Sequence, residues 1–288
     1  MKPTINQLLN NKFWEKINPG LHIDDKDFLN KHKPLHFSKE ALDCINKDLL
    51  EEGYFQLKPI DWELPFSAML DALTKFVDMG WPPVLAYVYD EFFLVPFKLS
   101  KVLSNILGQD FKQLPDFWAW YIDPLLSQSG WSPHRDKGMD SLMSNGSPMS
   151  LTLWIPFTDV IPLNGCIYIV PKNLDPYFAN PTGGNYQFEY QNIRALPASA
   201  GSILGWNQAV LHWGSRSSKK AQVPRVSIGL EFQRGDIEPF NKPLFSVDPP
   251  VELKTRLILI GKQILQYKHL YKLSDDVAAL AEEMKNLQ

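Results

Sequence analysis

The sequence predicts a mainly β protein, a sandwich or barrel with helices at both ends, folded as one domain. Two textures predict it. Between about Pro115 and Phe240 the chain breaks into short runs rich in strand formers, separated by turn residues. Before and after that stretch, apolar residues recur at helical spacing. The 288 residues suffice for a core that needs no covalent staples. With 44% hydrophobic and 21% charged residues the composition is that of a globular chain, which excludes disorder.

Residues 1–114 read as an N-terminal helical layer. Ser38 is placed to cap a helix running to about Leu50, with Ala41, Leu42, Ile45, Leu49 and Leu50 on one stripe. Gly53 stops it, and Tyr54-Phe55-Gln56-Leu57 is extended. Pro65 opens a helix from Phe66 to about Met79, and a third spans about Lys98 to Leu107.

Residues 115–240 carry the β core. Phe117–Ile122 is rich in strand formers and is stopped by Asp123-Pro124. The runs 150–157, 165–171, 202–206, 209–212 and 225–232 follow, the second entered through the turn pair Asn164-Gly165. Residues 172–199 form a long Pro/Gly/Asn-rich interruption, the pattern of a lid or binding loop. Residues 250–288 return to helix, from Val251 to about Lys268 and from Ser274 to the end.

Charge and cysteine content narrow the function. A net charge of −3 does not suit a general nucleic-acid or membrane-surface binder. Cys44 and Cys166 share no metal-site spacing, which excludes a disulfide framework and a thiolate zinc site. The first residues hold no apolar run of signal-peptide length, and no stretch reaches membrane-spanning length, so a cytoplasmic protein is expected.

Two histidines open a His-x-acid triplet, His22-Ile23-Asp24 and His134-Arg135-Asp136. Six histidines among 32 acidic residues in 288 give nearly one such triplet by chance, so context must separate them. His134 and Asp136 lie in the β region, where extended residues i and i+2 share a face. His22 follows Pro19-Gly20 in a polar segment and reads as a surface histidine. His212 ends the apolar run Ala209-Val210-Leu211. Thirteen residues on, Arg225-Val226-Ser227 starts the next strand. If the strands around this turn pair antiparallel, His212 and Arg225 face one interior, and a buried arginine calls for an anion. Two imidazoles and one carboxylate on one face of a metal leave three positions open, the pattern of non-haem Fe(II) oxygenases.

The order His134-x-Asp136, His212, Arg225-x-Ser227 resembles the Fe(II)/2-oxoglutarate-dependent dioxygenases, and their phytanoyl-CoA dioxygenase-like branch in particular. Thr152-Leu153-Trp154-Ile155-Pro156, Asn164-Gly165 and Glu52-Gly53-Tyr54-Phe55 add to the likeness, which covers roughly residues 38–235. The resemblance implies a double-stranded β-helix, a cupin-like jelly roll. It implies His134, Asp136 and His212 as iron ligands, and Arg225, assisted by Ser227, as the clamp on the distal carboxylate of 2-oxoglutarate. Thr152 and Trp154 match positions lining the co-substrate pocket. The implied reaction consumes O2 and 2-oxoglutarate, releases succinate and CO2, and hydroxylates an unactivated C–H bond of a small-molecule substrate, free or linked to coenzyme A or a carrier. Asp136 stands where related halogenases have a small residue, which disfavours halogenation. Where that family often has Pro-Gly-Ser-His, this chain reads Pro171-Lys172-Asn173-Leu174.

Desaturation, epoxidation or cyclisation at the same site is the nearest alternative. A non-catalytic jelly-roll binding protein is the second, and a zinc hydrolase lacks the His-Glu-x-x-His pattern that would support it. The 172–199 loop, the Lys137-Gly138-Met139 turn and the N-terminal helices are expected to frame the substrate. Trp118, Trp120, Trp131 and Trp213 are candidate walls, and Arg216, Lys219 and Lys220 form a small basic cluster.

Overall fold

The computed structural model describes residues 3–126, 128–179, 187–269 and 273–287. The N-terminal helices are α1 (Ile5–Leu8), α2 (Asn11–Ile17), α3 (Lys26–Leu29), α4 (Lys39–Glu51), α5 (Phe66–Asp78), α6 (Asp90–Lys98) and α7 (Ser100–Leu107). Ser38 caps α4 as its sequence position predicts, its hydroxyl accepting from the Ala41 amide. Helix α6 has no counterpart among the sequence expectations. Its residues are buried nearly all round, so they lack the apolar/polar alternation that marks a surface helix.

The strands are β1 (Tyr54–Leu57), β2 (Lys112–Ile122), β3 (Ser150–Pro156), β4 (Ile167–Val170), β5 (Arg194–Leu196), β6 (Ile203–Asn207), β7 (Leu211–Gly214) and β8 (Arg225–Gln233). Among the described residues they form a five-stranded sheet, β1-β6-β3-β8-β2, and a three-stranded sheet, β5-β4-β7. The described pairings between named strands are antiparallel. The mainly β expectation, with flanking helices, holds. Helices α8 (Leu253–Gln266) and α9 (Asp275–Lys285) close the chain.

Two expectations need correction. The segment 172–199 is not only loop, because Arg194–Leu196 pairs with β4 as an edge strand. Three residues are too few to show a period-2 pattern in the sequence. The part of that loop at 180–186 lies outside the described residues. The N-terminal helical layer also gives up a strand, since β1 pairs with β6 along Tyr54↔Trp206 to Leu57↔Ile203.

Period-2 alternation divides the large sheet into two faces. Leu151, Leu153 and Ile155 of β3, with Val226, Ile228 and Leu230 of β8, join the main core with Met69, Leu73 and Phe76 of α5 and Leu257 and Ile260 of α8. Each such fully buried side chain contributes about 1.5–3 kcal/mol relative to exposure. The opposite face looks toward the small sheet, where Trp154, Leu204 and Trp206 meet Ile167 and Ile169 in a second cluster. The N-terminal helices therefore cover the outer face of the sheet.

The His22 triplet has a structural role and is more than surface. His22 Nδ1 lies 2.7 Å from Glu91 Oε1, and its ring stacks on Phe28 at 3.8 Å. Asp24 accepts from the Leu253 amide at 3.1 Å, and Asp90 pairs with Arg256 at 2.6 Å inside the core. These contacts tie the N-terminal segment to α6 and α8. Among the described residues, no helix is long and apolar enough to cross a membrane.

Candidate metal centre

The backbone brings two distant histidines together. His134 and His212 exchange two backbone hydrogen bonds, each 3.0 Å, so the His134 segment adds to the small sheet beside β7. His134 Nδ1 lies 2.8 Å from the Ser132 carbonyl, and His212 Nδ1 lies 3.1 Å from that of Val210. A carbonyl only accepts, so both Nδ1 atoms carry the proton, and each ring in its neutral form presents an Nε2 lone pair. Those two nitrogens approach the same oxygen, Asp136 Oδ1, at 3.3 and 3.5 Å.

Asp136 is held by its other oxygen. Thr152 Oγ1 donates to Oδ2 at 2.7 Å and Trp206 Nε1 at 3.1 Å. Gln208 Nε2 in turn donates to Thr152 Oγ1 at 3.0 Å. Lone pairs of two imidazoles and one carboxylate thus converge, with ligand atoms within 4.8 Å of one another. Such convergence repels unless a cation or a proton lies among them. A divalent ion fits this donor set, which supplies nitrogen and oxygen ligands and one negative charge. Burial pushes the His212 imidazole down to about 4, so at neutral pH it is an unprotonated ligand. Burial opposes charge on His134 as well, but the hydrogen bond and charge of Asp136 outweigh it and raise that imidazole. The Asp136 carboxyl lies well below the usual range, where the two histidines overcome its desolvation.

The triad opens into a cavity between the two sheets. Trp118, Trp120 and Trp131 line it, as the sequence leads one to expect. Trp213 does not, because it stacks between Tyr168 and Phe188. Among the described residues no side chain of the N-terminal helices lines the cavity, and neither does the Lys137-Gly138-Met139 turn or the 172–199 loop. The wall comes instead from Tyr267 at the end of α8, whose ring packs on Trp118 and Trp131.

Arg225 reaches the cavity from the start of β8 and is 1% exposed. Its Nη1 donates to the Gly165 carbonyl. A Cβ on Gly130 or on Gly214 would stand 2.8 Å from a guanidinium nitrogen, so two glycines make room for this side chain. Ser227 shares the strand face with Arg225, but it does not line the cavity. Its Oγ is fully buried and has no hydrogen-bond partner among the described residues. Trp154 lines the cavity beside Thr152, whose hydroxyl is committed to Asp136.

Sequence reasoning missed Trp206, Gln208, Glu231, Asp116 and Tyr267. Glu231 was within reach of the same alternation that pairs Arg225 with Ser227, since 225, 227, 229 and 231 share one face. Glu231 Oε2 accepts from Lys137 Nζ and from Gln208 Nε2, each at 2.7 Å. Burial pushes its carboxyl up to about 7 against the pull of Lys137. Asp116 sits where β2 slips register against β8, between Gln113 and Phe117, and such irregularities re-aim side chains.

The sequence of residues 83–223 matches the model of the phytanoyl-CoA dioxygenase (PhyH) family. The chain carries a phytanoyl-CoA dioxygenase family domain. The PhyH match runs from the segment before α6 to the turn before β8 and contains His134, Asp136 and His212. No curated protein matches the chain in sequence. Among solved structures, the non-haem alpha-ketoglutarate-dependent carbocyclase SnoK from nogalamycin biosynthesis is similar at 16% identity and TM-score 0.55, over 75% of this chain and 98% of SnoK. The non-haem monooxygenase ThoJ, in its apo form, matches at 11% identity and TM-score 0.58, over 83% of this chain and 99% of its own. The epimerase SnoN, in complex with Fe3+, alpha ketoglutarate and a nogalamycin compound, matches at 14% and TM-score 0.50, over 74% and 96%. These likenesses establish the fold, and the PhyH match makes the protein a dioxygenase.

Proposed function

We propose that this protein is a non-haem Fe(II)- and 2-oxoglutarate-dependent oxygenase that hydroxylates an unactivated C–H bond of a small-molecule substrate. His134, Asp136 and His212 hold the iron, and Arg225 holds the distal carboxylate of 2-oxoglutarate. One observation carries the reading: two Nε2 lone pairs and Asp136 Oδ1 face a common point at the mouth of a cavity that also holds a buried arginine. The iron, when bound, supplies oxygen activation coupled to decarboxylation of 2-oxoglutarate to succinate and CO2.

The chain's own residues position and exclude. Ser132 and Val210 carbonyls fix the ring tautomers. Thr152 and Trp206 hold Asp136 through Oδ2, which leaves Oδ1 for the metal. Arg225 offers a planar fork suited to a carboxylate, and it reaches the cavity wall, whereas Ser227 on the same strand face does not. Trp118, Trp131 and Tyr267 exclude water from the substrate side.

The test is anaerobic loading with Fe(II) and 2-oxoglutarate, followed by oxygen and measurement of succinate with a substrate panel. Succinate and a product with one added oxygen atom are expected. Loss of two hydrogens from the product would instead mark desaturation or ring closure. No succinate and no bound iron would end the proposal. Linkage of the substrate to coenzyme A or a carrier, and a cytoplasmic location, remain parts of this proposal to be read from the same panel and from cell fractionation.

A further inference from the structure

We infer that the substrate carries a protonated amine, held at the end of the cavity remote from Arg225, by Glu231 and Asp116 among the rings of Trp118, Trp131 and Tyr267. The inference rests on the oxygenase reading above and adds the substrate's class. Arg225 and Glu231 share a face of β8 six residues apart, which spans about 20 Å of strand. The cavity is therefore polarised, with a guanidinium at one end and two carboxylates at the other. Among the described lining residues Arg225 is the one cationic Lys or Arg side chain.

The bonding of the two acids leaves them able to take a cation. Both described hydrogen bonds to Glu231, from Lys137 and Gln208, fall on Oε2. Oε1 accepts none among the described residues. Among the described residues Asp116 meets only amide donors, Asn241 Nδ2 at 2.9 and 2.8 Å and Gln266 Nε2 at 3.0 Å. The cation of Lys262 stops one residue short, at Asn241 Oδ1. Glu231 already pairs with one cation, Lys137, through Oε2, whereas the described donors to the buried Asp116 are neutral amides, so Glu231 Oε1 and Asp116 together favour a further cationic neighbour. The surrounding walls are ring faces and edges, with Tyr267 5.0 Å from Trp118 and 5.2 Å from Trp131, and ring faces attract cations. A carboxylate or phosphate would be repelled from the same place, and a plain hydrocarbon would leave Glu231 desolvated without gain.

The experiment uses the full chain loaded with Ni(II), which is redox-silent, and 2-oxoglutarate. Quenching of tryptophan fluorescence is followed while hexylamine, hexan-1-ol and hexanoate are titrated separately. Hexylamine is expected to bind about tenfold tighter than the alcohol, and hexanoate not at all, because only the amine brings a positive charge to the carboxylates. Glu231→Gln should bring amine and alcohol together, with circular dichroism unchanged. If that variant fails to fold, Asp116→Asn is read the same way. Equal binding of amine and alcohol by the natural protein overturns the inference, as does a preference that survives in the folded variant. Titration of 2-oxoglutarate separates the two ideas. If it fails to bind while the amine preference holds, the co-substrate assignment falls and the amine site stands. If it binds and the preference is missing, the reverse is true.

Discussion

Thr152 Oγ1 donates to Asp136 Oδ2 at 2.7 Å, and this contact decides which carboxylate oxygen faces the two histidines. Thr152→Val keeps the shape and removes the donor. Metal affinity is expected to fall about 10–100-fold, the usual cost of losing such a supporting bond. Isothermal titration with Co(II) checks it, and unchanged affinity would mean that Trp206 alone orients the carboxylate.

Removing a ligand has a larger effect. His134→Ala and Asp136→Ala should each abolish metal-dependent succinate formation, while circular dichroism stays native. Elemental analysis after dialysis reads the metal directly. A variant retaining stoichiometric iron would remove that residue from the centre.

His22→Ala tests the other triplet. Metal content is expected to be unaffected, but Glu91 is fully buried and loses its ring partner. The backbone amide of residue 22 still donates to both Glu91 oxygens, so the loss is one side-chain hydrogen bond, worth about 1 kcal/mol and visible as a lower urea midpoint. Loss of iron in this variant would reverse the choice between the two triplets.

Arg225→Ala should weaken 2-oxoglutarate binding without changing Co(II) affinity. Gly214→Ala should do the same more mildly, because its Cβ would press 2.8 Å from the guanidinium. Competition of 2-oxoglutarate against a chromophoric chelate measures both. Unaltered 2-oxoglutarate affinity in Arg225→Ala would show that the carboxylate is held elsewhere.

Breaking the ion pair of Asp90 with Arg256, 2.6 Å apart and fully buried, should cost about 3–5 kcal/mol. Asp90→Ala also strips the acceptor from the Asp24 and Asp25 amides. Chemical unfolding checks this, and a change below about 1 kcal/mol would mean that water replaces the pair.

The strands with clean alternation were legible from the chain. The run 150–157 is seen as Ser150–Pro156, and 225–232 as Arg225–Gln233. The element lost to the sequence, α6, is buried on nearly every side, so its pattern carried no face. The three-residue β5 was too short to show a period. Trp206 and Glu231 escaped for a different reason. Each is ordinary in its own segment, and each acquires a role only from the strand beside it, through Thr152↔Trp206 and Thr152↔Glu231.

By itself the order of residues determined the metal-type donors, the arginine that follows them and the β character of the region between. Local spacing suffices for those, because i and i+2 share a face in any extended strand. Only the tertiary structure decided that α8, through Tyr267, walls the cavity in place of the N-terminal helices, and that two acids face the guanidinium's far end. Those facts depend on which strands lie side by side and on a register slip in β2, and sheet neighbours are set by long-range packing that no local pattern encodes.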